Sequence, residues 1–69
     1  MNSRYIYWVE ESSPIMLCRR LSEGGHTEYL TSHKNWTTDP DDSDIVNFRN
    51  RQAALNAAGE ASINPAEVR

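Results

Sequence analysis

The chain has 69 residues and a formal net charge of −3, so it is one small domain near the lower limit for independent folding. This charge argues against the basic surface that broad nucleic-acid binding requires. The single cysteine excludes an internal disulfide, no Cys/His cluster has structural zinc spacing, and no apolar run approaches the length of a membrane span. We therefore expect no metal, no cofactor and no membrane, and oligomerisation is the remaining common way to stabilise so small a core.

Three strands are predicted in the first half of the chain. Residues 5–10, 15–21 and 26–31 are rich in the aromatic, aliphatic and β-branched residues that favour strands. Residues 11–14 and 22–25 separate them with turn-forming serine, proline and glycine. The first half therefore predicts an antiparallel meander.

The loop between the second and third strands decides their register. If residues 22–25 form this loop, Arg19 faces Glu28 and Leu17 faces Leu30. A tighter loop of two glycines would instead place Arg19 opposite Leu30. We favour the first register because it pairs opposite charges and aliphatic side chains.

Two apolar sets alternate along these strands, whereas a half-buried sheet normally alternates apolar with polar residues. The first predicted face is aliphatic and contains Ile6, Trp8, Ile15, Leu17, Leu21 and Leu30. The second predicted face contains Tyr5, Tyr7, Val9, Met16, Cys18, Arg20 and Tyr29. The chain has about one helix left to cover a face, so we expect the second face to contact something else.

The second half predicts one more strand and one helix. Residues 32–44 form a polar connector, and residues 45–48 are predicted to be a short fourth strand, with a helix as the alternative. Asn50 is a good N-cap for a helix over residues 51–58, and Gly59 is a plausible stop. A narrow apolar stripe on this helix consists of Ala54, Leu55 and Ala58.

The fold class expected from these elements is a small α+β domain, in which three or four antiparallel strands form a meander followed by one short α-helix. This domain is expected to span residues 1–59, with residues 60–69 as a flexible C-terminal tail. The helix is predicted to cover the face of Ile6, Trp8, Leu17 and Leu30.

No catalytic residue is predicted. His26 and His33 are seven residues apart, which separates them by roughly 20 Å along an extended strand and prevents a shared metal site unless the strand bends. Cys18 has no histidine near it in the favoured register, although nucleophilic catalysis requires a base within hydrogen-bond reach. We therefore expect a protein that is not an enzyme.

The candidate partner-binding residues fall into three groups. Those of the second predicted face are Tyr5, Tyr7, Met16, Arg20 and Tyr29, because aromatic residues and arginine are enriched in interface hot spots. Trp36 either plugs the end of the core or anchors a partner. Asp41, Asp42 and Asp44 either form a solvated turn or meet a basic partner surface.

Four uses of the second predicted face are open. Self-association as a homodimer is preferred, followed by another protein partner. A nucleotide-like ligand could be held by Arg20, which would bind phosphate while the neighbouring aromatic rings stack on a base. The fourth use is burial of this face within the same chain, under the loop and the tail.

The second half also resembles a group of known sequences. The run from Trp36 to Asp42 (WTTDPDD), followed by Phe48 and a capped, alanine-rich helix from Asn50, is similar to short uncharacterised proteins of bacteriophage and prophage genomes. The resemblance covers residues 28–58. It implies a small accessory protein, of the kind that includes inhibitors of host defence systems, and it assigns no catalytic residue.

We therefore expect a non-enzymatic, phage-type accessory protein that binds and modulates a host protein in the bacterial cytoplasm, as a homodimer. Sequestration of a small nucleotide-like signalling ligand is the alternative, and a structural subunit of a larger assembly is the second alternative. A cytoplasmic location fits the absence of a signal-peptide pattern near the N-terminus.

Overall fold

The computed structural model describes residues 4–69 and contains a four-stranded antiparallel sheet in the order β1–β2–β3–β4. The elements are β1 (Tyr5–Glu10), β2 (Met16–Leu21), β3 (Glu28–Leu30), β4 (Trp36–Thr37), α1 (Arg51–Glu60) and a 3₁₀ turn at Pro65–Glu67. This arrangement confirms the predicted α+β class, a small meander followed by one short helix.

The register between β2 and β3 is the one that the four-residue loop predicts. Arg19 pairs with Glu28, and Cys18 pairs with Tyr29. Gly24 in the loop has a φ of +106°, a backbone conformation that residues with a Cβ rarely adopt. Its N–H donates to the carbonyl oxygen of the last residue of β2 at 3.0 Å, which closes the turn.

The two faces of the sheet differ from the prediction because β1 has the opposite phase. Val9 pairs with Leu17, and Trp8 pairs with Cys18. Directly opposed residues share a face, so Trp8 lies on the side opposite Leu17. A shift of one residue in the pairing exchanges the faces of a whole strand. The predicted face that joined Trp8 to Leu17 is therefore wrong.

We call the side of the sheet that carries α1 the helix face and the other side the opposite face. The helix face consists of Tyr5, Tyr7, Val9, Leu17, Arg19, Leu21, Glu28, Leu30 and Trp36. The opposite face consists of Ile6, Trp8, Glu10, Met16, Cys18, Arg20, Tyr29 and Thr37. Tyr5 and Tyr7, which were predicted to share a face with Met16 and Tyr29, instead lie on the helix face.

The core lies between α1 and the helix face. Ala54 and Ala58 are fully buried there, in a cluster with Val9, Leu17 and Leu30. Their small side chains let the helix approach the sheet closely. Of the predicted stripe, both alanines are thus confirmed as core, and Leu55 packs against the same cluster as a partly buried residue.

The helix begins as predicted and ends later than predicted. The side-chain oxygen of Asn50 accepts a hydrogen bond from the N–H of Ala53 at 2.9 Å, as expected of an N-cap. Gly59 lies inside the helix, so its prediction as the stop is wrong. Ser62 has the left-handed conformation after the end, with a φ of +66°, and the N–H of Ile63 reaches back to the carbonyl oxygen of Ala58. These bonds form a Schellman motif, which satisfies the last carbonyl groups without glycine.

The fourth strand is β4, within the segment predicted to be a connector. Trp36 pairs there with Leu30. Residues 45–48, predicted to be the strand, form only isolated bridges with Thr31 and Ile15. The N–H of Val46 donates to the carbonyl oxygen of Leu30, and that of Phe48 donates to the carbonyl oxygen of Ile15, so the segment connects to β3 and to the residue that precedes β2 without a continuous ladder.

Residues 60–69 were expected to be a tail, and in the structure they return to the sheet. Val68 is 8% exposed, belongs to the core cluster and makes a parallel bridge with Tyr7 at the outer edge of β1. The N–H of Arg69 donates to the carbonyl oxygen of Tyr7 at 2.9 Å. Neither helix in residues 4–69 has the length and hydropathy needed to cross a bilayer.

Candidate association surface

The opposite face is built from three cross-strand rows. The middle row contains Trp8, Cys18 and Tyr29 on three adjacent strands. Cys18 is 1% exposed, whereas Trp8 and Tyr29 are partly exposed. The central cysteine is thus buried, while its two aromatic cross-strand neighbours remain partly accessible.

The helix leaves this face accessible because α1 packs on the other side of the sheet. Its buried residues, Ala54 and Ala58, contact the cluster of Val9, Leu17 and Leu30 on the helix face. The C-terminal segment also packs with that cluster. The helix therefore does not cover the opposite face, although residues 40–47 line a cavity with Met16 at its Glu10 end. Ile6, Trp8 and Tyr29 remain partly exposed there.

The outer rows of the opposite face carry opposite charges at their two ends. Arg20 pairs with Ile6 at one end, and Glu10 pairs with Met16 at the other. Asp42, in the acidic loop, lines the same cavity as Met16. The face thus has an apolar centre, a basic end and an acidic end.

The pKa of the Cys18 thiol is raised from 9.0 to about 11, mainly by burial and to a smaller extent by the charge of Glu10, while a hydrogen bond from the backbone of Glu10 acts in the opposite direction. A protonated, inaccessible thiol is a poor nucleophile. Cys18 therefore contributes packing to this face, and its chemistry gives no support for a reactive site.

Of the three tyrosines predicted to share a face with Arg20, Tyr5 and Tyr7 lie on the other side of the sheet, and Tyr29 lies on the same side as Arg20. Arg19 is the arginine beside aromatic rings. Its guanidinium carbon lies 4.1 Å from the ring centre of Tyr5 and 4.3 Å from that of Trp36.

Trp36 is partly buried and packs against the core cluster. Its ring centre lies 6.2 Å from that of Tyr7, on the helix face. This packing agrees with the first of its two predicted roles, a plug at the end of the core. This position separates Trp36 from the opposite face.

The acidic loop is stabilised by its own carboxylates. Asp39 accepts a hydrogen bond from the N–H of Asp41, and Asp42 accepts one from the N–H of Asp44, each at 2.9 Å. Asp44 also lies 3.6 Å from Nε2 of His33, with both side chains largely exposed. Within residues 4–69, no three acidic, histidine or cysteine side chains form a group that could hold a metal ion.

Of the predicted site residues, the structure brings together Met16, Arg20 and Tyr29, and it places Asp41 and Asp42 beside Met16. The sequence reasoning missed Trp8 and Glu10 as members of this surface. The sequence shows an aromatic and a charged residue in this apolar strand. It does not show on which face of the sheet they lie, because the phase of β1 cannot be read from it.

Comparison of the chain with protein-family models, with curated proteins and with solved structures found no match.

Proposed function

We propose that this chain is a non-enzymatic binding module that associates with another protein surface through its opposite face. The observation that carries this proposal is the position of Trp8 and Tyr29, which are partly exposed on the side of the sheet away from α1. Aromatic side chains contribute strongly to binding because they bury much area and have few rotatable bonds.

The size of the domain supports the same proposal. A 69-residue chain buries only about 60% of its unfolded surface, so its stability is marginal. Coverage of Trp8, Ile6 and Tyr29 by a partner would add apolar burial that the chain cannot supply itself. Association would therefore stabilise the fold as well as serve its role.

The role that we propose is that of a phage-type accessory protein that binds and modulates a host protein, such as a component of a defence system, in the bacterial cytoplasm. Its support is the resemblance of residues 28–58 to bacteriophage and prophage proteins.

Site-specific photo-crosslinking in bacterial cells tests the proposal. A photoreactive amino acid is placed at Ile6, on the opposite face, and in a control chain at Asn56, on the exposed side of α1. We expect discrete protein adducts from position 6 and none from position 56. The adducts should disappear in a chain that also carries Trp8→Glu.

Folding is checked separately, because Trp8 pairs across the strands with the buried Cys18. Tyr29→Ser is the second variant, and circular dichroism reports whether each variant keeps the fold. Adducts that persist in a folded variant, or their absence from position 6 of the parent chain, would refute the opposite face as a binding surface.

A further inference from the structure

We infer that the opposite face binds a second copy of this chain, related by a two-fold axis that runs across the strands, so that Glu10 of each copy pairs with Arg20 of the other. The inference rests on the proposed function, because it names the occupant of the same face. It is carried by the distribution of charge on that face.

The two charged residues lie at equal distances from the centre of the face. Glu10 is two residues after Trp8 along β1, and Arg20 is two residues after Cys18 along the antiparallel β2. At about 3.3 Å per residue, each charge therefore lies about 7 Å from the Trp8–Cys18 row, in opposite directions.

Neither charge takes part in an ion pair within residues 4–69. Arg20 donates from Nη1 to the carbonyl oxygen of Leu21 at 3.2 Å, and Glu10 accepts from the hydroxyl of Ser12 at 3.2 Å. Each side chain thus keeps hydrogen-bonding capacity for an opposite charge on a second copy.

The choice of axis follows from this layout. An axis parallel to the sheet and perpendicular to the strands reverses the strand direction, which places Glu10 of one copy over the end that carries Arg20 of the other. An axis along the strands would place Arg20 over Arg20 and Glu10 over Glu10, with repulsion at both ends. Facing sheets pack about 10 Å apart, a distance that glutamate and arginine side chains span together.

The same arrangement gives the interface the composition that is typical of protein–protein interfaces. Trp8 and Tyr29 lie near the axis and form an apolar centre, while the charged pairs lie at the rim. Asp42, near Met16, adds negative charge at the end that receives Arg20. Because the contact is isologous, the assembly closes at two copies.

Charge reversal of the full chain tests the inference by sedimentation equilibrium. Glu10→Arg and Arg20→Glu should each weaken the dimer by about tenfold or more, since each creates two like-charge contacts. The double variant should restore the parent affinity to within about threefold, because both pairs are then re-formed in reverse.

Mixing the two single variants is the more discriminating experiment. A heterodimer of Glu10→Arg with Arg20→Glu has attractive pairs at both ends, so the mixture should dimerise more tightly than either variant alone. A folding defect would not produce this recovery. Arg51→Glu, on the exposed end of α1, is the matched charge reversal that should leave dimerisation unchanged.

The outcomes separate the two proposals. A parent chain that stays monomeric at about 1 mM, a concentration at which only a very weak dimer would escape detection, overturns the inference. The inference is also overturned if the single charge reversals do not weaken the dimer, or if mixing the two variants does not restore dimerisation. In those cases, Trp8-dependent adducts with a host protein from position 6 would still uphold the proposed function, and the absence of both would refute both.

Discussion

Arg19 donates from Nε to the Oε1 atom of Glu28 at 2.6 Å, across the β2–β3 ladder. The pair is only partly exposed, 20% and 26% for the two side chains, and the guanidinium also lies over the rings of Tyr5 and Trp36. Planar guanidinium stacks on aromatic rings while it pairs with a carboxylate. This cluster lies on the helix face, where its Trp36 packs against the core.

Arg19→Lys should lower the free energy of unfolding by about 1 kcal/mol, because an ammonium group keeps the charge but loses the stacking and the planar hydrogen-bond geometry. Urea denaturation followed by circular dichroism measures the change. Arg51→Lys is the control, since Arg51 pairs with Glu11 at an exposed site and should change stability little. Equal effects of the two substitutions would contradict the role of the ring stack.

Val68→Ala should lower the free energy of unfolding by about 1–2 kcal/mol, because it removes two methyl groups from the core cluster. Thermal unfolding monitored at several denaturant concentrations gives the value. Glu67→Ala, one residue earlier and exposed, is the matched control and should stay within about 0.5 kcal/mol. A neutral Val68→Ala would mean that the C-terminal residues form no part of the folded unit.

The β2–β3 register was predictable because the residues themselves distinguish the alternatives. Only one loop length places Arg19 opposite Glu28, and the ion pair between them is formed. The phase of β1 was not predictable by the same means. Both of its faces are apolar, with Trp8 on one and Val9 on the other, so burial does not select between them. Residues 11–15, between β1 and β2, are compatible with loops of more than one length, so the loop does not decide the phase of β1 either.

The remaining differences come from contacts that leave no periodic signal. Val68 is an isolated apolar residue near the C-terminus, and its bridge to Tyr7 spans almost the whole chain. The strand at Trp36–Thr37 has two residues, too few for an alternating pattern. The candidate surface was predicted in part for this reason: Met16, Arg20 and Tyr29 belong to strands whose register was correct.

Ala58→Leu should lower the melting temperature and cost about 1–3 kcal/mol, because the fully buried methyl group leaves no room for a larger side chain between α1 and the sheet. Differential scanning calorimetry measures the shift. The same new side chain at the exposed position, Asn56→Leu, should be neutral or slightly stabilising, since leucine has the higher helix propensity. Tolerance of leucine at both positions would contradict the close approach of the helix.

The stability of the chain should depend on the thiol of Cys18 at alkaline pH. Its pKa is raised from 9.0 to about 11 in the folded state, mainly by burial and to a smaller extent by the charge of Glu10. Above pH 9 the unfolded chain loses this proton while the folded chain keeps it. The unfolded state then binds fewer protons, so the free energy of unfolding falls as the pH rises.

The parent chain should therefore lose about 1–3 kcal/mol more than Cys18→Ala between about pH 9 and pH 11, and the two curves should run parallel below pH 9. Urea titrations at half-unit pH steps measure the difference, in which the titration of tyrosine and lysine cancels. Glu10→Gln should move the midpoint to lower pH, because it removes a negative charge that disfavours the thiolate. Parallel curves throughout would mean that solvent reaches the thiol and that Cys18 is not buried in solution.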